Sequence, residues 1–232
     1  TLPATLYQNR TLIRYRITVS DTAGTSVTAP FFDDESLNFA CFIYDGIPDY
    51  VTTTRTYPAE SVLNTLPAYH LLTTQSDYDQ CVAYDSNQIP RNNYDARSAF
   101  NWSGTFVYND TAYDNIGYRL RQRNARYSNR GKRRFRFRFN RGHYVQFHDM
   151  WGNAYPTRWR TLNSHKMHAR GGTNFGLYES ANSILWKTTG TPSPNTHWFH
   201  FRVIKNSEEA PDQHHGDFYG LLLGMQDYDG RF

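Results

Sequence analysis

Cysteine is scarce: Cys41 and Cys81 are the only two in 232 residues, too few for a disulfide scaffold or a thiolate zinc site. Two reduced, buried thiols are expected. No run approaches the roughly 20 apolar residues of a membrane-spanning helix, and no apolar stretch follows a charged N-terminus as in a signal peptide. The chain is therefore expected to be soluble, without membrane insertion, and its start at Thr1 is read as a processed or trimmed end. Linear catalytic signatures are missing too: there is no G-x-S-x-G, H-E-x-x-H, Walker loop or G-x-G-x-x-G. A protein without enzymatic activity, cofactor or metal is expected. Long uninterrupted helix is disfavoured by 10 Pro and 15 Gly scattered among Asn, Asp, Ser and Thr.

What is abundant is aromatic: 18 Tyr and 15 Phe favour pleated sheet over helix. Leu12 to Val19 alternates apolar and polar residues as a half-buried strand does, and Leu37 to Tyr44 is apolar enough for a buried one. Tyr69 to Thr74, Gln80 to Tyr84, Phe100 to Tyr108, Arg133 to Phe147, Trp198 to Ile204 and Phe218 to Met225 complete eight expected strands. The connections Ser20 to Ser36, Asp45 to Ala68, Ser86 to Ala99 and Met150 to Asn195 are long and polar, with single helical turns at Asp33 to Asn38 and Ala59 to Leu66. Long excursions between few strands favour a Greek-key or jelly-roll arrangement over a meander of tight hairpins. The expectation is one all-β domain over residues 1–232, an eight-stranded jelly-roll β-sandwich with long loops.

Acidic residues are wholly absent from Arg119 to Arg141, which holds 11 of the 25 Lys and Arg and leaves 14 against 21 Asp and Glu elsewhere. The positive charge is localised on an otherwise acidic chain, a pattern that points to a polyanionic partner. Within Arg134-Phe135-Arg136-Phe137-Arg138-Phe139, a strand puts three Phe on one face and three Arg on the other. Burying each Phe contributes about 1.5 to 3 kcal/mol and sets the register. The arginines repeat every ~7 Å along the strand, close to the phosphate interval of an extended nucleic-acid strand. Arg119, Arg121, Arg123, Arg126 and Arg130 precede them with Tyr127 for base stacking, and Lys132, Arg133 and Arg141 extend the set. Basic groups interleaved with aromatics suit single strands read without base specificity. The competing explanation is a solvated edge strand whose charges prevent aggregation.

Other groupings carry less. Asp33-Asp34-Glu35, Asp77 with Asp79, and Asp212 with Asp217 around His214-His215 lack metal-ligand spacing and read as exposed polar loops. Trp102, Trp151, Trp159, Trp186 and Trp198 fit core or inter-subunit packing, or the face of a carbohydrate-binding β-sandwich or glycosidase, the alternative function.

The run from Lys132 to Arg141, followed by Trp151, Tyr155, Trp159 and Asn174-Phe175-Gly176-Leu177, resembles the capsid proteins of small circular single-stranded DNA viruses. Phe175 stands where those proteins carry Tyr, and jelly-roll capsids of other small icosahedral viruses have similar composition. The resemblance covers residues 130 to 180. It implies a viral capsid protein in the virion, assembled in the host nucleus or cytoplasm. Its partners would be copies of itself in a closed icosahedral shell, packaged single-stranded DNA and a host-surface receptor.

Overall fold

The structure is a computed structural model that describes residues 3–31, 34, 36–83, 101–121, 132–166, 169–170, 173–207 and 217–228. Strands dominate it. In chain order they are β1 (Thr11–Tyr15), β2 (Ile17–Ser20), β3 (Ser26–Ala29), β4 (Phe39–Ile43), β5 (Tyr50–Val51), β6 (Thr56–Tyr57) and β7 (Ala68–Leu72). Helix α1 (Gln75–Ala83) follows, then β8 (Trp102–Tyr108), β9 (Thr111–Leu120), β10 (Phe135–Arg138), β11 (Thr161–Lys166), β12 (Ala169–Arg170) and β13 (Thr173–Asn174). Helix α2 (Phe175–Thr188), β14 (Thr196–Ile204) and β15 (Phe218–Gln226) complete the fold.

Seven strands close into a barrel in the order β7, β8, β9, β10, β11, β15, β14, with β14 returning to β7. All neighbours are antiparallel except β14 and β7. The chain is thus mainly β as expected, but the described sheet has seven strands, and five of them lie side by side in chain order. A tight hairpin explains part of this order. Asn109 and Asp110 turn β8 into β9 with φ of 49° and 58°, the left-handed pair whose twist matches the flanking strands.

Several expected boundaries move for identifiable reasons. Gln80 to Tyr84 was expected as a strand, yet residues up to Ala83 belong to α1. The Thr74 hydroxyl accepts from the Asp77 amide at 3.1 Å as an N-cap, and Tyr78 and Cys81 are buried three residues apart on one helical face. Leu12 to Val19 breaks at Arg16 into β1, which pairs with β4, and β2, which pairs with β3. Leu37 to Tyr44 contributes β4, which is only partly buried because it forms a two-stranded ribbon. Arg133 to Phe147 yields β10 alone, since the chain turns at 140–143 with Gly142 at φ 83°. The expected loop Met150 to Asn195 contains β11, β12, β13 and α2. Of the helical turns, Ala59 to Leu66 holds one at Leu63–Thr65, whereas 34 and 36–38 form none; Asp33 and Glu35 lie outside the described residues. Both cysteines are free, Cys81 buried as expected and Cys41 exposed on the ribbon.

The core fills the barrel with aromatic rings. Phe106, Phe135, Phe137, Phe199, Phe201 and Tyr69 are fully buried, with Phe106 and Phe137 5.1 Å apart and Tyr69 stacked on Phe199 at 4.2 Å. The β1–β4 ribbon is clamped to this barrel through Asp114. Its carboxylate accepts from Arg14 at 2.7 Å, Thr105 at 2.7 Å and Asn38 at 3.0 Å. Burial alone would raise the Asp114 carboxyl, but these hydrogen bonds and the Arg14 charge outweigh it and hold it below the ordinary range.

Candidate nucleic-acid interface

Pleat geometry sends the two residue types of β10 in opposite directions. Phe135, Phe137 and Phe139 enter the core, while Arg136 and Arg138 stand on the outer wall. The strand is paired on both sides, Arg136 opposite Arg119 of β9 and Asn163 of β11, Arg138 opposite Gly117 and Thr161. In a closed barrel β10 is an interior strand. Protection of a free edge therefore cannot explain its arginines.

On the outer wall Arg119, Arg136, Arg138 and Arg160 line a cleft of about 340 Å³ together with Asn101, Thr161 and Asp227. It runs into a second of about 730 Å³ that shares Asn101, Arg138 and Arg160 and adds Arg141, Tyr144, Asn115 and Asn140. Five guanidinium groups thus line one groove with one carboxylate. Asp227 pairs with Arg136 at 2.5 Å and accepts from Asn163 at 2.8 Å, which offsets the repulsion of Arg136 and Arg119 directly opposite one another. Among the described residues Arg138, Arg141 and Arg160 face no acidic partner within salt-bridge distance. Such a groove offers fixed, forked donors to anionic oxygens, flanked by amide side chains and one Tyr ring.

The remaining basic residues of the segment divide into two groups. Lys132 donates to the Leu221 carbonyl at 2.5 Å, and burial pulls its ammonium down to about 8. The Arg133 amide donates to the Tyr219 hydroxyl. Arg134 and Arg121 lie half-buried beside Glu179 of α2, and burial lowers both guanidinium groups despite that carboxylate. None of these four lines the groove, although Arg121 lies near enough to feel the charges of Arg136 and Asp227. Arg123, Arg126, Tyr127 and Arg130 lie outside the described residues.

Arg160, Tyr144, Asn101 and Asp227 enter the groove without having been expected there. Arg160 carried a usable signal: it follows Trp159, which is buried, so the same in-and-out alternation continues beyond the basic run. The acid-rich groups resolve differently. Asp34 accepts from the Ser36 amide and hydroxyl, and Asp77 and Asp79 lie on α1. Asp217 is fully buried against Arg10 at 2.5 Å. Asp33, Glu35, Asp212, His214 and His215 are outside the described residues, among which no group of three or more metal-ligating side chains occurs.

The fold and the groove together define a mainly β barrel with an arginine-lined outer wall. Compared with protein-family models, curated proteins and solved structures, the chain gives no match.

Proposed function

We propose that this protein is a structural, non-enzymatic shell subunit of a small virus that contacts its packaged nucleic acid, single-stranded DNA, through the outer groove. The observation that carries the reading is the set Arg119, Arg136 and Arg138 on the strand-paired, register-locked β9 and β10, joined by Arg141 and Arg160 from the adjoining turn and bend, with one carboxylate among them. A solubility device needs no such concentration of one sign, and guanidinium forks match phosphate oxygens. The eight-stranded jelly roll implied by the family resemblance is one way to build such a shell wall. The seven-stranded barrel offers the same requirement, a rigid sheet with one apolar and one charged face. Copies of itself in a closed shell and a host-surface receptor are the other partners of this reading.

The test is binding of a fluorescent oligo-dT to the whole chain across a salt series, with Arg119, Arg138 and Arg160 replaced by Ser together. Each lost phosphate contact reduces the slope of log affinity against log salt by ~0.7 for a single strand, so the triple variant should lose about two units of slope. Unchanged affinity and slope would remove the groove from nucleic-acid contact.

A further inference from the structure

Helix α2 is mounted with its polar side inward. It covers the outer wall of the barrel, which is polar, so Ser180 meets the Thr196 hydroxyl at 3.3 Å, Glu179 meets His165 at 3.1 Å and Lys187 reaches back to Asn195. Among its described side chains and glycine, Gly176, Ser180 and Ser183 are buried. Five large apolar residues are left outside: Leu177 is 54% exposed, Tyr178 57%, Ile184 47%, Leu185 60% and Trp186 56%. Leu177, Ala181, Ile184 and Thr188 recur at spacings of four, three and four, a seam of one helical face flanked by Tyr178 and Leu185. An ordinary surface helix shows the reverse arrangement.

We infer that this face is a two-fold interface with a second copy of the same chain, packed helix against helix. Three observations choose that occupant. Leu177, Tyr178, Ile184 and Leu185 offer on the order of 400 Å², within the range of the largest patches on monomers and about half of the ~800 Å² per partner of a standard interface. The seam carries no charge, since Glu179 and Lys187, the only charged residues of α2, both contact the barrel side. Two copies can therefore meet without like-charge repulsion. In an antiparallel pair Ala181 falls opposite Ile184 of the other copy, small against large, as interdigitating packing requires. The inference takes its occupant from the proposed self-assembly and its surface from α2 alone.

The experiment is sedimentation velocity of the whole chain at rising concentration, with Ile184→Lys and separately Leu185→Ser, alongside oligo-dT affinity and thermal melting of each. Ile184 is half-exposed, so folding should survive. Self-association should weaken at least ~30-fold for Ile184→Lys, with oligo-dT affinity unchanged and melting no lower than that of the dilute, dissociated parent chain. Unaltered association in both variants would overturn the inference. So would a chain that stays monomeric yet binds neutral lipid vesicles, which would assign the face to a bilayer. Loss of oligo-dT binding with association still sensitive to Ile184 would instead sink the nucleic-acid reading and leave this interface standing.

Discussion

Acidification from pH 7 to pH 5 should cost this fold a large share of its stability, in the first place through three histidines with no role in the groove. His70, His197 and His200 are all buried, and burial is the first cause that pulls each ring down to about 3; the Arg202 charge adds to the effect at His70 and His200. His197 lies among core rings with its Nε2 2.7 Å from the Tyr69 hydroxyl, and neither ring nitrogen of His70 has a hydrogen-bond partner among the described residues. In the unfolded chain each titrates near ~6.5. Between those two values the unfolded chain binds more protons than the folded one. Stability is therefore complete above pH 6.5 and is lost as pH falls towards about 3. At pH 5 the loss is about 2 kcal/mol per ring, or about 6 kcal/mol for three independent rings, against a typical total of 5 to 15 kcal/mol. The depressed Asp114 carboxyl opposes none of this, since its contribution falls away only at lower pH. Urea unfolding followed by tryptophan fluorescence at pH 7, 6, 5 and 4, at constant ionic strength, measures the effect. A loss below about 1 kcal/mol between pH 7 and 5 would refute the assignment of these rings as neutral and buried.

Two substitutions probe the groove and the core. Asp227→Asn removes the carboxylate paired with Arg136 and should tighten oligo-dT binding and steepen its salt dependence; weaker binding would show Asp227 to be an organiser of the site. A Cβ at Gly224 would lie 2.7 Å from His197 Nε2, so Gly224→Ala should lower stability by about 1 to 3 kcal/mol through overpacking, and an unchanged Tm would reject that close approach.

The strands that read correctly in the sequence are those whose two faces differ. Phe135, Phe137 and Phe139 alternate with arginines, and the buried face of β14 carries Phe199, Phe201 and Val203. β9 was missed because Asp114, Asn115 and Gly117 look like a turn. They instead form a bulged stretch in which Asn115 takes φ 49° and Asp114 turns inward to bind Arg14. β11 was missed because Thr161, Asn163, Ser164 and His165 are polar yet buried, the last three each satisfied by a partner distant in sequence: Asn163 donates to Asp227, the Ser164 hydroxyl accepts from the Phe135 amide, and His165 meets Glu179 of α2. α2 itself hides in a polar connection because its apolar residues face away from the molecule. The candidate groove was half legible: the basic strand is local in sequence, whereas Arg160, Asn101 and Asp227 join it only through barrel closure, which no local pattern encodes.

The division of β10 between core and groove also makes its two properties independently adjustable. Core packing resides in Phe135, Phe137 and Phe139, and the groove-facing charge in Arg136 and Arg138, with hydrogen bonding to β9 and β11 holding both in place. Outward positions can be rewritten for a different pattern of charge, or for none, while the inward ones keep the barrel shut. A single strand thus works as a modular part, in which the surface charge is specified on alternate residues and the scaffold on those between.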